Sequence, residues 1–274
     1  MLKRLCLVLL ILPLGLAALA QQNPQSRALM QAMQIEQLLS LLHDEGLIYG
    51  QKLDEQLLQG RGGADWAHIV AQLYDPALIQ NGFEHHFQAG LGDQPLDQML
   101  AFYQSPLGQQ IVASELSARR AFLDPETEAR SRRHFAEMVQ AGEDRVQLLQ
   151  ELVERGDLLD YNLSNTMNAR YAFNLGLVQG GAFERDITQE DILRNTWQDQ
   201  DRIGHDIRQW LFAYLALAYE PLSDAQLRRY IAFCNSGPGR ALNRAQFEAY
   251  DAVFKQVSQA LGLAAAPFLR GKQL

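Results

Sequence analysis

Cysteine is almost absent from this chain: of its two cysteines, Cys6 lies in an apolar leader and only Cys234 stands beyond it. One remaining thiol cannot close an internal disulfide, even in an oxidising compartment, and no CxxC pair is present for zinc or redox chemistry. Sustained period-two alternation of apolar and polar residues is also missing, so the pattern requires no strands. Basic charge is in deficit, with 24 Lys and Arg against 32 Asp and Glu. Without the leader, 22 basic residues face 32 acidic ones, a net charge of −10. Such a surface repels phosphate backbones and anionic headgroups, which argues against nucleic acid as a partner. Gly-x-Ser-x-Gly, HExxH and Gly-Lys-Ser/Thr segments are all missing. The sequence therefore offers no motif for a serine nucleophile, a zinc protease or a phosphate loop, and it points to no cofactor.

The amino terminus has the form of a signal peptide over residues 1–20. Lys3 and Arg4 precede an apolar run from Leu5 to Leu19, and Ala18 and Ala20 occupy the small positions before a cleavage point. Pro13 and Gly15 interrupt the run, and polar Gln21, Gln22 and Asn23 follow it. A removed address fits better than a spanning helix, which needs about 20 apolar residues. Cys6 stands at the front of the run rather than at the cleavage point, so a lipid anchor is not expected. The mature chain should begin at Gln21, be exported to the periplasm and keep no stable membrane anchor.

Three markers recur in order along the rest. Gly46-Leu-Ile-Tyr-Gly50 returns as Gly176-Leu-Val-Gln-Gly180, 130 residues later. Trp66 returns as Trp197, and Phe102-Tyr-Gln-Ser105 as Phe233-Cys-Asn-Ser236, both after 131 residues. Shared leucines alone do not explain equal tryptophan-to-phenylalanine spacings, so the pattern predicts a tandem duplication of one helical unit. The first copy would span 21–150 and the second 151–274. The fold class expected is all-α, a bundle of about ten to twelve helices with no sheet. Helix starts are written as a capping residue before proline at Asp75-Pro76, Ser105-Pro106 and Asp124-Pro125, with Thr188 and Ser223 as further starts. The charged stretch from Pro125 past Leu159 reads as one or two solvated helices linking the copies.

Phe102-Tyr103-Gln104-Ser105-Pro106-Leu107-Gly108 reads physically as a corner between helices. Phe102 and Tyr103 end one helix against the core, Ser105 caps the next, Pro106 fits where no amide hydrogen is needed and Gly108 permits close approach. The alternative places Tyr103 and Ser105 in an anion site at a helix amino terminus. In the second copy Phe233, Ser236 and Gly239 hold the matching positions, but Gly237 replaces Pro106 and Cys234 replaces Tyr103. The second corner is therefore expected to differ in geometry. The motif resembles the signature of a family of exported bacterial helical proteins known as domain of unknown function 2059. The resemblance covers roughly Leu91 to Leu123, and more loosely Leu222 to Tyr250. It implies an all-helical, periplasmic protein with no assigned reaction.

Candidates for chemistry are sparse. Glu84-His85-His86 is the densest group of ligand types, but adjacent helical histidines diverge by about 100 degrees and cannot readily share a metal. Cys234 ends an apolar helix and reads as a buried small side chain. The carboxylates sit in polar helical context and read as solvated faces. The glycine pairs place small residues on one helical face and predict tight crossings inside a soluble bundle. Trp210 to Tyr219 is apolar on every face but too short to span a bilayer. It reads either as a central core helix or as one leaving Trp210, Phe212, Tyr214 and Tyr219 to face a ligand or partner. The leading expectation is a non-enzymatic binding module for another protein or a small apolar ligand, seated in a groove between the copies. The alternative is a hydrolase or metal-dependent enzyme whose site assembles only in the fold, with Glu84, His85, His86 and His43 as first suspects.

Overall fold

A computed structural model describes residues 24–183 and 187–270. The signal-peptide reading of residues 1–20 falls outside them. In chain order the helices are α1 (Pro24–Ala32), α2 (Ile35–Leu53), α3 (Gly63–Leu73), α4 (Pro76–Leu91), α5 (Asp97–Tyr103), α6 (Pro106–Ala121), α7 (Pro125–Ala141), α8 (Asp144–Arg155), α9 (Leu158–Gln179), α10 (Gln189–Trp197), α11 (Gln200–Tyr219), α12 (Asp224–Cys234) and α13 (Gly237–Arg270). A π-helical turn over Asp54–Leu58 follows α2. The described residues contain no strand, and none of their helices is long and apolar enough to cross a membrane.

The capping signals act as physical chemistry requires. Asp75 and Asp124 each accept two backbone N–H bonds in the first turn of α4 and α7, with proline at the start. Thr188 and Ser223 form capping boxes with Asp191 and Gln226. Residues in the left-handed region mark several of the breaks between helices. Gln34, at φ 51°, separates α1 from α2, and Gly142, at φ 67°, separates α7 from α8.

The two Ser-containing corners have the same geometry, contrary to the expectation that the second would differ. Ser105 Oγ donates to the Phe102 carbonyl at 2.6 Å and accepts from Gly108 N–H at 3.1 Å. Ser236 Oγ donates to the Phe233 carbonyl at 2.6 Å and accepts from Gly239 N–H at 3.1 Å. Moving the proline from the first to the second helical position changes nothing essential, because neither amide hydrogen has an intrahelical partner. A Cβ on Gly108 or Gly239 would overlap the Phe102 or Phe233 carbonyl oxygen, so neither corner can accommodate a side chain there. The Phe102 and Phe233 rings stack on one another at 3.8 Å between centroids and 3° between planes. Ser105 is thus engaged in capping and Tyr103 is buried.

Two hydrophobic cores follow, and both draw on both halves of the sequence. One gathers Trp66, Phe83, Phe87 and Met99 with Leu242, Ala249 and Leu261 of α13. The other joins Ile111, Met138 and Leu149 to Leu211, Phe212, Leu215 and Leu227. The linking helices α7 and α8 are thus part of a core, with Met138, Val146, Leu149 and Leu152 buried. The long α13 packs on α9 and α4. At its crossing with α9, a Cβ on Gly262 would overlap the Phe173 carbonyl oxygen and one on Gly176 the Gln259 carbonyl oxygen. The glycines of the first half instead admit side chains, Tyr74 against Gly46 and Val70 against Gly50. The two marker tryptophans also differ: Trp66 is 1% exposed and donates its indole N–H to the Gly50 carbonyl at 2.8 Å, whereas Trp197 is 48% exposed.

Two outcomes follow from this packing. Ser105→Ala and Ser236→Ala should each cost about 1 kcal/mol in urea-unfolding free energy, and by similar amounts, because the caps are identical. Gly262→Ala should cost about 1–3 kcal/mol or more by forcing the α9 and α13 backbones apart, whereas Gly237→Ala, with no atom near its Cβ, should be close to neutral.

Candidate functional site

Helices α6 and α13 start from the stacked corners but do not pack closely along their lengths. Between them, closed by α2, α9, α11 and α12, lies a cavity of about 710 Å³. Leu38 and Leu42 of α2, Phe173 of α9, Trp210, Leu211 and Leu215 of α11, and Phe247 and Phe254 of α13 give it an apolar body. Asn162, Asn165, Asn243 and Gln246 supply side-chain amides, and Glu115, Arg119 and Arg170 supply charge. Taking the 131-residue offset of the sequence markers, Glu115 corresponds to Gln246 and Arg119 to Tyr250, and all four line the cavity. Residues of α6 and α13 thus face the same cavity.

Glu115 is the chemical centre. Tyr219 Oη donates to its Oε1 at 2.6 Å and Tyr230 Oη to the same oxygen at 3.2 Å, while Tyr214 Oη donates to its backbone carbonyl at 3.1 Å. Burial pushes the carboxyl pKa up, and the two tyrosine hydrogen bonds partly oppose the rise. Burial, with the Glu115 charge second, in turn holds the Tyr103, Tyr219 and Tyr230 phenols well above their ordinary range. The same two causes push the Cys234 thiol up to about 12. Cys234 is therefore a neutral thiol at physiological pH.

The two lining arginines are already neutralised. Arg119 donates through Nε and Nη2 to both oxygens of Glu45, at 2.7 and 2.8 Å, in a pair whose side chains are 26% and 31% exposed. Arg170 pairs with Asp199 at 2.5 Å. Glu115 forms no ion pair among the described residues. Tyr250 Oη, also lining the cavity, is buried without a hydrogen-bond partner.

Of the face expected on α11, Trp210, Tyr214 and Tyr219 line the cavity and Phe212 does not. Residues two apart on a helix point about 200 degrees apart. Phe212 accordingly turns to the opposite side, stacking on Phe135 of α7 at 5.0 Å, while Trp210 stacks on Tyr214 at 5.3 Å. The α11 segment is thus core on one face and cavity wall on the other. The first enzyme suspects do not converge: His43 Nδ1 contacts the Tyr74 carbonyl at 2.7 Å, and Glu84, His85 and His86 lie on α4, away from the cavity lining. No group of three His, Cys, Asp or Glu that could hold a metal occurs among the described residues.

Glu115 corrects the reading that every carboxylate occupies a solvated face. Its signal is in the periodicity: Leu107, Ile111, Glu115, Ala118 and Phe122 fall at spacings of four, four, three and four, so the carboxylate interrupts an apolar stripe. A carboxyl whose folded pKa is raised contributes stability that is complete at low pH and is lost as pH rises through the folded value. The melting temperature of Glu115→Gln should therefore lie increasingly above that of the natural chain as pH rises through the Glu115 pKa. Parallel melting curves across that range would contradict a desolvated Glu115.

No curated protein and no solved structure matches this chain. Residues 79–137, which hold the first corner, all of α6 and Glu115, match the model of the family described as "Uncharacterized protein conserved in bacteria (DUF2059)", so this segment is similar to that family.

Proposed function

We propose that this is an exported binding protein, built from two copies of one helical unit, that holds a small and largely apolar ligand in the cavity between its halves. The observation that carries the reading is the cavity itself: about 710 Å³, with a mainly aliphatic and aromatic body and a few polar groups gathered around Glu115. That size and composition are those of small-molecule sites, which usually measure about 300–1,000 Å³. Both halves contribute walls, as a groove between copies requires. Export rests on the leader of residues 1–20, with cleavage after Ala20, and duplication on the recurring markers and the matched Ser corners.

A catalytic reading attaches to Glu115, because a carboxyl with a raised pKa inside a cleft is what a general acid or base requires. Binding is the better account because the side chains around it are phenols and a thiol held in their neutral forms, none of them an activated nucleophile.

Nile red, a neutral apolar dye, should brighten saturably with the mature chain of residues 21–274. Ala169→Trp, which puts an indole into the cavity from α9, should weaken that binding about tenfold or more. Leu263→Trp, on an exposed position, should leave it unchanged. Equal binding by both variants would place the dye elsewhere and remove support for the cavity as the site.

A further inference from the structure

The charges lining the cavity do not balance. Arg119 is engaged through two donors by Glu45, and Arg170 by Asp199. Glu115 has only tyrosine hydroxyls on Oε1 and no hydrogen bond to Oε2 among the described residues. With both arginines neutralised, the wall carries one uncompensated carboxylate. A carboxylate held among apolar and aromatic groups is costly unless a counter-charge joins it. Polar acceptance is also incomplete nearby: the Tyr250 hydroxyl is buried and unpartnered. The surroundings suit a cation rather than a second anion, since Trp210 and Tyr214 add stacked aromatic rings to the same cavity.

We propose that the ligand is an organic cation, an apolar body bearing one protonated amine, with the ammonium seated at Glu115 and the body along the aliphatic and aromatic walls. This rests on the cavity being the binding site. The ammonium hydrogens would be accepted by Glu115 Oε2 and by the Tyr250 hydroxyl oxygen, satisfying both groups. An acid of the same length would meet the Glu115 charge and find Arg119 occupied. An alcohol would gain the apolar contacts without the charge pairing.

The test is competition against Nile red on the mature chain, using octylamine, octanol and octanoate as chain-matched probes. Octylamine should displace the dye at a concentration about tenfold or more below octanol, the increment expected of a hydrogen bond to a charged group, and octanoate should be weakest. Glu115→Gln should remove the preference for the amine over the alcohol, each read against the dye affinity of that same variant. A second measurement needs no variant: octylamine affinity should fall as pH drops through the Glu115 pKa, while octanol affinity stays flat. Of the groups near Glu115, Tyr103, Tyr214, Tyr219, Tyr230, Tyr250 and Cys234 are all pushed upward by burial and stay neutral in this range, and Glu45 pairs with Arg119. Equal displacement by amine and alcohol, or an amine preference that survives Glu115→Gln, would overturn the cation assignment while leaving the cavity as a site. Preferential displacement by octanoate would overturn it in favour of an anion at Arg119. Failure of Nile red to bind would remove the site itself.

Discussion

The ring stack of Phe102 on Phe233, at 3.8 Å, is the contact on which the rest of the architecture depends. It joins two corners in which a serine caps the following helix and a glycine lets the chain fold back on a carbonyl oxygen. With the corners locked together, α6 and α13 start side by side and then leave room between them. The α9 backbone, pressed against α13 at Gly176 and Gly262, closes one side, and α11, seated on α7 through Phe212 and Phe135, closes another. The cavity is the space these constraints leave unfilled. Its position follows from backbone geometry, and neither half of the sequence could enclose it alone.

The same stack reaches the site's electrostatics. Phe102 also lies over Tyr230, at 5.9 Å, and Tyr230 donates to Glu115. Tyr219 meets the same oxygen and packs edge-on to Tyr230 at 5.7 Å. Two phenols and a carboxylate are therefore fixed by the packing that fixes the corner. Burying a carboxylate without a basic partner opposes folding, and hydrophobic residues of similar volume would stabilise the bundle more. A binding role gives a physical reason for such a group to stand there, because specificity in an apolar cavity comes from its few polar atoms.

Much of the fold is legible from the sequence, since local chemistry dictates it. Asp75-Pro76, Ser105-Pro106 and Asp124-Pro125 start helices because their side-chain oxygens satisfy first-turn amides and proline has none to satisfy. The glycine pairs mark close crossings wherever they occur, but the sequence could not say that one admits side chains and the other a backbone. The site is only half legible. Trp210, Tyr214 and Tyr219 are visible as an unusually apolar helix, yet assigning Phe212 to their face ignores the 100 degree step between residues. Glu115 is hidden because its burial is imposed from outside α6, by tyrosines about 100 residues away in sequence. The second Ser corner looks altered in sequence because Pro106 and Gly237 differ. Its geometry survives because the serine hydroxyl, rather than the proline, sets the turn.

The central claim is that the space between the halves holds a ligand, and native mass spectrometry of residues 21–274, purified without denaturant, tests it most directly. The account predicts a small additional mass on the monomer that is lost on denaturation and is absent from Ala169→Trp. A bare chain in both proteins, or an added mass that survives the Ala169→Trp filling, would contradict it.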